Sequence, residues 1–348
     1  MNFLEAIYLC GCRIKKNYWM KRRKRLPFKV VSIGNITTGG TGKTPATIAL
    51  AEGLRLRGYA PVILTRGYRG KAKGPCFVGP GRIIESFGLS GAPLLCGTVE
   101  EAGDEPLLMA EKLEKVPVVK CADRYAGGNF ALRHLNGEYL EKAVFILDDG
   151  FQHWRLYRDL DIVLLDGAKP FGNGRLLPLG VLREPLGALK RADAVLVTKT
   201  RNSGLLEEIR AINPAAFVSF SEYAIDSFID VTGSDLAQES VKAKKAMAFC
   251  GIARPESFRN ALISAGIEVC DLITFRDHHR YKQADIDLVC GRAHEAGADY
   301  IIATEKDMVK IRELRPGKNV LFARAALKLN EEILSFIEKK LDGPQAVK

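Results

Sequence analysis

The sequence predicts an α/β protein, with a mostly parallel sheet covered by helices on both faces and a second, smaller α/β unit after it. Three observations carry this. Short Val/Ile/Leu-rich runs alternate with segments of helical period, a Gly-rich turn joins the first run to the first such helix, and the alternation restarts after weak periodicity over 222–245. In order, residues 28–33 form an apolar run, 44–57 read as a helix and 61–64 as a strand; 116–119, 143–147, 161–165 and 194–197 continue the series. Such continuous apolar runs suit strands buried on both faces. The restart brings a strand at 246–249, a helix near 255–265, a strand near 269–273, a helix near 283–296, a strand at 300–303 and a last helix over 330–341. The expected segments are therefore 1–27, 28–225 and 226–348. Gly-rich stretches over 67–91 and 167–180 exceed ordinary connections, as loops that carry function tend to do.

The chain has 348 residues, 47% hydrophobic and 27% charged, with 33 Gly and 15 Pro, which excludes collagen-like, low-complexity and wholly disordered readings. Lys and Arg number 52 against 41 Asp and Glu, a net charge of +11. Residues 1–30 hold nine basic side chains against Glu5 alone, so +8 of that surplus is terminal. It is interleaved with Phe3, Leu4, Ile7, Tyr8, Ile14, Tyr18 and Trp19, a mixture that suits a membrane surface better than nucleic acid. The plainer alternative is a helix packed on its own domain with a solvated basic tail. No apolar run approaches the ~18 residues of a spanning helix. The apolar stretch also precedes the basic cluster, unlike a secretory signal. The expectation is a cytoplasmic protein lying on the membrane without crossing it, its eight scattered Cys reduced and holding no metal.

The sharpest chemical signal is Thr37-Thr38-Gly39-Gly40-Thr41-Gly42-Lys43-Thr44 between a strand and a helix. Glycines let backbone N–H groups turn around phosphate oxygens, Lys43 reaches the β/γ-phosphates, and the Thr44 hydroxyl suits Mg²⁺ at the positive end of the helix. Thr37 stands where the first Gly of the usual motif would be. The Gly-Gly-x-Gly-Lys-Thr form resembles the partition-ATPase and dethiobiotin-synthetase branch of the P-loop NTPase fold. A Mg·ATP site also needs an acid at a neighbouring strand end, and the run 144–147 is followed by Asp148 and Asp149. The run ending at Asp166 competes, and order along the chain favours the first.

Further segments are too unusual for scaffold: Thr65-Arg66-Gly67-Tyr68, Gly103-Asp104-Glu105-Pro106, Asp149-Gly150-Phe151-Gln152-His153, Phe171-Gly172-Asn173-Gly174-Arg175, Leu182-Arg183-Glu184-Pro185, Asp277-His278-His279-Arg280-Tyr281 and Thr304-Glu305-Lys306-Asp307. With the phosphate loop, and in this order from residue 32 to about 310, they resemble the tetraacyldisaccharide 4′-kinases of lipid A synthesis. Leu179, Val181 and Arg276 depart from the family's pattern. The resemblance implies transfer of the ATP γ-phosphoryl group to the 4′-hydroxyl of an acylated glucosamine disaccharide at the cytoplasmic face of the bacterial inner membrane. It implies Asp104 as the base that takes the acceptor's proton, oriented by His278 or its neighbour His279. Lys43 and Mg²⁺ neutralise charge, and Thr44, Asp148, Asp149 and Glu184 are candidates for the ion's shell. The bland readings are a helix N-cap for Asp104, a carbonyl-capping loop histidine for His278 and an Arg183–Glu184 surface pair for Glu184. Two other functions stay open at this point, a membrane-positioning switch ATPase and a soluble ATP-dependent ligase.

Overall fold

The computed structural model describes residues 2–79, 87, 89, 94–198, 203–311, 314–317 and 319–343. Contacts divide the chain into a unit of residues 1–222 and 328–348 and a unit of residues 223–327.

The first unit opens with helix α1 (Phe3–Met20), started by a capping box in which the Asn2 side chain accepts from Leu4 N and Glu5 accepts from Asn2 N. β1 (Lys29–Gly34), α2 (Lys43–Leu56) and β2 (Ala60–Thr65) follow, then the short strands β3 (Cys76–Val78) and β4 (Leu95–Cys96). α3 (Val99–Ala102), α4 (Asp104–Lys112), β5 (Val118–Lys120), α5 (Arg124–His134), α6 (Gly137–Leu140), β6 (Ala143–Asp148), β7 (Leu160–Asp166), β8 (Ala194–Thr198) and α7 (Ser203–Ile212) complete the succession up to β9 (Phe217–Asp230). The sheet runs β8-β7-β1-β6-β2-β5-β3-β4, with residues 217–221 of β9 beside β8. Every pairing is parallel except β3 on β5.

Alternation along the strands explains the two covered faces. Ile162, Leu164 and Leu196 meet Ala46 and Leu50 of α2 with Ile333 and Ile337 near the C-terminus, while Val163, Leu165, Val195 and Val197 pack against Leu189, Leu205 and Ile209. Because strands and crossovers are parallel, the turns after β1, β2, β6, β7 and β8 gather at one edge, where open α/β sheets bind ligands. Residues 222–245, where the periodicity weakens, hold the latter part of β9, a hairpin strand β10 (Asp235–Ala237) antiparallel to it and one turn of helix, α8 (Gln238–Val241).

The second unit is built on β11 (Lys245–Cys250), α9 (Pro255–Ser264), β12 (Glu268–Thr274), α10 (Gln283–Glu295), β13 (Tyr300–Thr304), α11 (Glu305–Ile311) and β14 (Val320–Lys328). Its sheet order is β12-β11-β13-β14, in parallel. Ala246 and Ala248 pack toward Phe258 and Leu262 of α9, and Met247 and Phe249 toward Ile286 and Val289 of α10. The last helix, α12 (Glu331–Asp342), was expected in this second segment and instead returns to the first unit. Glu331 pairs with Arg57 and Asp342 accepts from the Tyr59 hydroxyl. It closes over α2, where a Cβ on Gly53 would lie 2.9 Å from Leu334.

Two further expectations change. Cys76 and Cys96 are joined in a disulfide, because parallel pairing of β3 with β4 brings together thiols twenty residues apart. Helix α1 is also not a detached segment, since Glu5 is buried and accepts from Leu176 N at 3.1 Å while the Tyr8 hydroxyl donates to Arg183 O at 3.0 Å. Its other face carries exposed Phe3, Leu4, Ile7, Ile14 and Tyr18. Among the described residues no helix is long and apolar enough to cross a membrane. Within the long stretch expected over 67–91, residues 80–86, 88 and 90–91 lie outside the described residues.

Candidate active site

β1 ends at Gly34, where no other residue fits, because a Cβ there would lie 2.6 Å from that of Phe151. The loop beyond it is fixed by its own polar atoms. Asn35 Nδ2 donates to Thr41 Oγ1 at 2.9 Å, Thr38 N to Val181 O at 2.7 Å, and Thr198 Oγ1 to Thr41 O at 3.2 Å. Gly39 and Gly42 adopt φ of 100° and 87°, conformations that glycine takes without strain. Gly42 is also the N-cap of α2 and supplies no side-chain acceptor, which leaves the first-turn N–H groups of α2 to an anion in the loop. Thr37, in place of a glycine, is buried and bridges to Leu182, so its backbone lines the loop's outer wall.

Both acids expected opposite this loop are there, in different states. Asp148 ends β6, is buried, and accepts from Thr65 Oγ1 at 2.9 Å and Thr47 Oγ1 at 3.4 Å. Burial first, then the neighbouring acids Glu105 and Asp149, push its carboxyl up to about 6. Asp149 sits at φ 49°, a left-handed turn that aims its carboxylate back at the loop. Burial alone would raise it, but Lys43 and then Arg183 hold it below the usual carboxylate range. Lys43 Nζ is 3.8 Å from Asp149 Oδ1, and Arg183 Nη1 donates to both of its oxygens at 2.8 and 3.0 Å.

Arg183 and Glu184 do not pair with each other as on an ordinary surface. Arg183 takes Asp149; Glu184 accepts from Gln152 Nε2 and from Arg191, each at 3.0 Å. Gln152 in turn donates to Asn35 O at 2.9 Å, tying the segment after the acid pair to the phosphate loop.

Asp104 is the first residue of α4 rather than its cap, which is Gly103 at φ 95°. Its carboxylate is buried and accepts from Glu105 N at 3.0 Å. The turn after β2 presses on this helix start, because a Cβ on Gly103 would lie 2.7 Å from Tyr68 O and one on Gly67 2.8 Å from Ala102 O. Lys120 Nζ locks the same turn by donating to Ala72 O at 2.5 Å and Glu101 O at 3.0 Å. These glycines account for the Arg66-Gly67-Tyr68 and Gly103-Asp104 motifs together.

In the second unit the two neighbouring histidines diverge. His279 stacks on Phe275 at 4.8 Å and its Nε2 lies 3.0 Å from Asp285 Oδ2, which also accepts from Lys282 N at the start of α10. That is structural packing. His278 has φ 59°, its backbone N–H donates to Gly251 O at 3.1 Å, and its Nε2 lies 3.5 Å from Lys306 Nζ and 3.8 Å from Asp277 Oδ2. Asp307 is fully buried and holds Thr304, Gly251 N and Lys310, which fixes the start of α11, where Lys306 lies beside His278.

The model of the family described as "Tetraacyldisaccharide-1-P 4'-kinase" matches residues 1–342. The chain belongs to this kinase family. Its relatives include a tetraacyldisaccharide 4′-kinase of Halothermothrix orenii, 37% identical over 331 residues, with 89% of this chain and 82% of that one covered. Another, of Syntrophus aciditrophicus, is 38% identical over 337 residues, covering 89% and 83%. A solved structure described as "apo" form LpxK from Aquifex aeolicus in complex with ATP superposes with a TM-score of 0.69 at 29% identity, covering 97% of each chain. The sheet and P-loop are thus those of the tetraacyldisaccharide 4′-kinase family, and neither a partition-type switch nor a dethiobiotin-type ligase is favoured. Three neighbours of the acid pair in the first unit had no assigned role at the level of sequence, Thr65 and Thr47 on Asp148 and Arg183 on Asp149, and in the second unit neither had Lys306 beside His278. The motifs around Thr65, Arg183 and Lys306 marked those three as unusual, whereas Thr47 is an ordinary helix residue on paper.

Proposed function

We propose that the chain transfers the γ-phosphoryl group of ATP to the 4′-hydroxyl of a tetraacylated glucosamine disaccharide 1-phosphate, through the residues just described. The observation that carries this is the meeting of an uncapped helix start, Lys43, Arg183 and the acid pair Asp148/Asp149 at the ligand-binding edge of a sheet in a member of this family. Residues 37–44 hold the phosphates, with Lys43 on the β/γ oxygens. Asp149, held ionised by Lys43 and Arg183, orients both cations. Asp104 accepts the proton of the acceptor hydroxyl as its oxygen bonds to the γ-phosphorus, and the bond to the β–γ bridging oxygen breaks to release ADP. His278 is assigned the positioning of that base.

The donor set fits Mg²⁺. Burial first, and then the charges of Glu105 and Asp149, push the Asp148 carboxyl upward, a cost that a hard dication beside it would offset. Thr44, Asp148 and Asp149 would hold it, while Glu184, engaged by Gln152 and Arg191, holds Gln152 against the loop. The ion would supply neutralisation of the charge that develops on the phosphoryl group in transfer. The exposed apolar stripe and basic residues of α1 support peripheral association with the cytoplasmic face of the inner membrane.

Incubation of the purified chain with labelled ATP and a 1-phosphorylated acylated glucosamine disaccharide in detergent tests the reading. Labelled lipid is expected. ATP hydrolysis indifferent to added lipid would point instead to a switch ATPase.

A further inference from the structure

A cleft of about 630 Å³ lies in the first unit, away from the phosphate loop. Its walls include Lys29 at the start of β1, Asp159 and Asp161 around the start of β7, and Asp193 before β8. The phosphate loop leaves the other end of β1, which at ~3.3 Å per residue is roughly 17 Å away. The cleft therefore opens at the opposite edge of the sheet from the proposed nucleotide site, and its size is that of a small-molecule pocket.

Seven basic side chains line the cleft against three acidic ones, and of the seven Arg191 is already paired with Glu184 outside it. The three carboxylates are already engaged. Asp159 accepts from Arg25 and from Val30 N, each at 2.9 Å; Asp161 takes the Arg158 guanidinium through two bonds of 2.7 and 3.0 Å; Asp193 accepts from Asp161 N at 2.9 Å. Around Trp154 the cations crowd one ring, with Arg191 at 4.5 Å, Lys16 at 4.8 Å and Arg158 at 5.5 Å from its centre. Arg23 lies over the Tyr157 ring at 4.8 Å, and its Nε is buried without a hydrogen-bond partner. Burial first, and then Arg158, oppose the charge on Arg23. Like charges packed this closely repel, and an anion among them removes both the repulsion and the orphaned donor.

What kind of anion is indicated by the rim. Met20, 40% exposed, lines the cleft at the last turn of α1 and gives it an apolar lip, while the exposed stripe of Phe3, Ile7, Ile14 and Tyr18 lies on another face of the same helix. A charged pocket beside an apolar lip suits a ligand with a phosphate and acyl chains together.

We propose that this cleft binds the phosphate of an anionic membrane lipid headgroup, giving the protein a second anion site at the far edge of the sheet from its P-loop. The site concerns how the protein sits on its membrane and stands whichever acceptor the kinase uses.

The test uses the full-length chain carrying Trp19→Phe, so that Trp154 is its sole tryptophan, and dihexanoyl phosphatidylglycerol below its micellar concentration. Saturable change in Trp154 emission is expected. Arg23→Gln should weaken it roughly tenfold or more, the effect of losing one charged hydrogen bond, and Arg13→Gln, which removes a charge from α1 outside the cleft, should change it less than about twofold on the same scale. Lys16→Gln serves as the second cleft variant, and thermal melts report which variants fold. Absence of saturation, equal loss in Arg13→Gln, or equal binding of dihexanoyl phosphatidylcholine would overturn the proposal. Inorganic phosphate binding as tightly as the lipid would show a site for small free anions and overturn the headgroup assignment. No readout uses ATP or the disaccharide, so failure here leaves the kinase reading untouched.

Discussion

Single residues in this protein are set by neighbours that the sequence separates widely. Lys43 balances Asp149 across more than a hundred positions, and both lie at the rim of the loop. Lys43→Ala or Thr44→Ala should therefore lower kcat by roughly 10²–10³-fold, the usual loss when a preorganised charge-stabilising group is removed, with an unchanged melting temperature. Near-normal turnover in a folded variant would remove these residues from the nucleotide site. His153 offers a test of stability instead of rate. Its Nε2 is buried without a hydrogen-bond partner, and burial first, then Arg124, Arg158 and Arg155, push the imidazole down to about 3 from 6.5. The unfolded chain gains a proton as pH falls through 6.5 while the native ring does not until about 3, so the stability present above 6.5 is lost on acidification. The slope is about 1.4 kcal/mol per pH unit. Urea unfolding at pH 7 and pH 5 should show a loss smaller by about 2 kcal/mol in His153→Gln than in the parent. Identical losses in the two proteins would show that the ring titrates normally.

Elements were legible where burial is two-sided. β1, β6, β7 and β8 read from the sequence because every residue along them after Lys29 is buried, so no polar face interrupts the apolar run. β3 and β4, of three and two residues, carry no such pattern, and their disulfide depends on a pairing that no spacing announces. The last helix read clearly, from Asn330, whose side chain caps Ile333 N, to a strongly amphipathic repeat. Its destination was hidden, because the same apolar face suits either unit, and the first is selected by the side chains of Arg57 and Tyr59 and by the bare backbone at Gly53. Ile337 is fully buried between α2 and the sheet. Ile337→Ala should cost about 2–5 kcal/mol, read as a drop in the urea midpoint of the unit that contains α2. A loss below about 0.5 kcal/mol, the range of a surface change, would mean that the helix is not part of that core.

At the scale of the molecule, the phosphate loop and acid pair were legible because their chemistry is written in consecutive residues. The different surroundings of His278 and His279 were not, since they depend on side chains brought in by the fold. Phe275 and Asp285 take His279, leaving His278 beside Lys306 and Asp277. Asp104 and His278 belong to different units, so their cooperation is a matter for kinetics. Asp104→Ala and His278→Ala should each lower kcat far more than they alter the KM for ATP, because neither is assigned to hold nucleotide. A positioned base is worth ~10²–10⁴-fold, which sets the expected loss for Asp104. If His278 acts by orienting that base, removing it from an enzyme already lacking Asp104 costs little more, and the double variant resembles the worse single one. Asp104→Asn with His278 intact should be as slow as Asp104→Ala, whereas His278→Gln, which keeps a hydrogen bond, should recover part of what His278→Ala loses. Fully multiplicative losses in the double variant would dissolve the pairing while leaving the kinase standing, and a larger loss at His279 with an unchanged melting temperature would move the role to its neighbour.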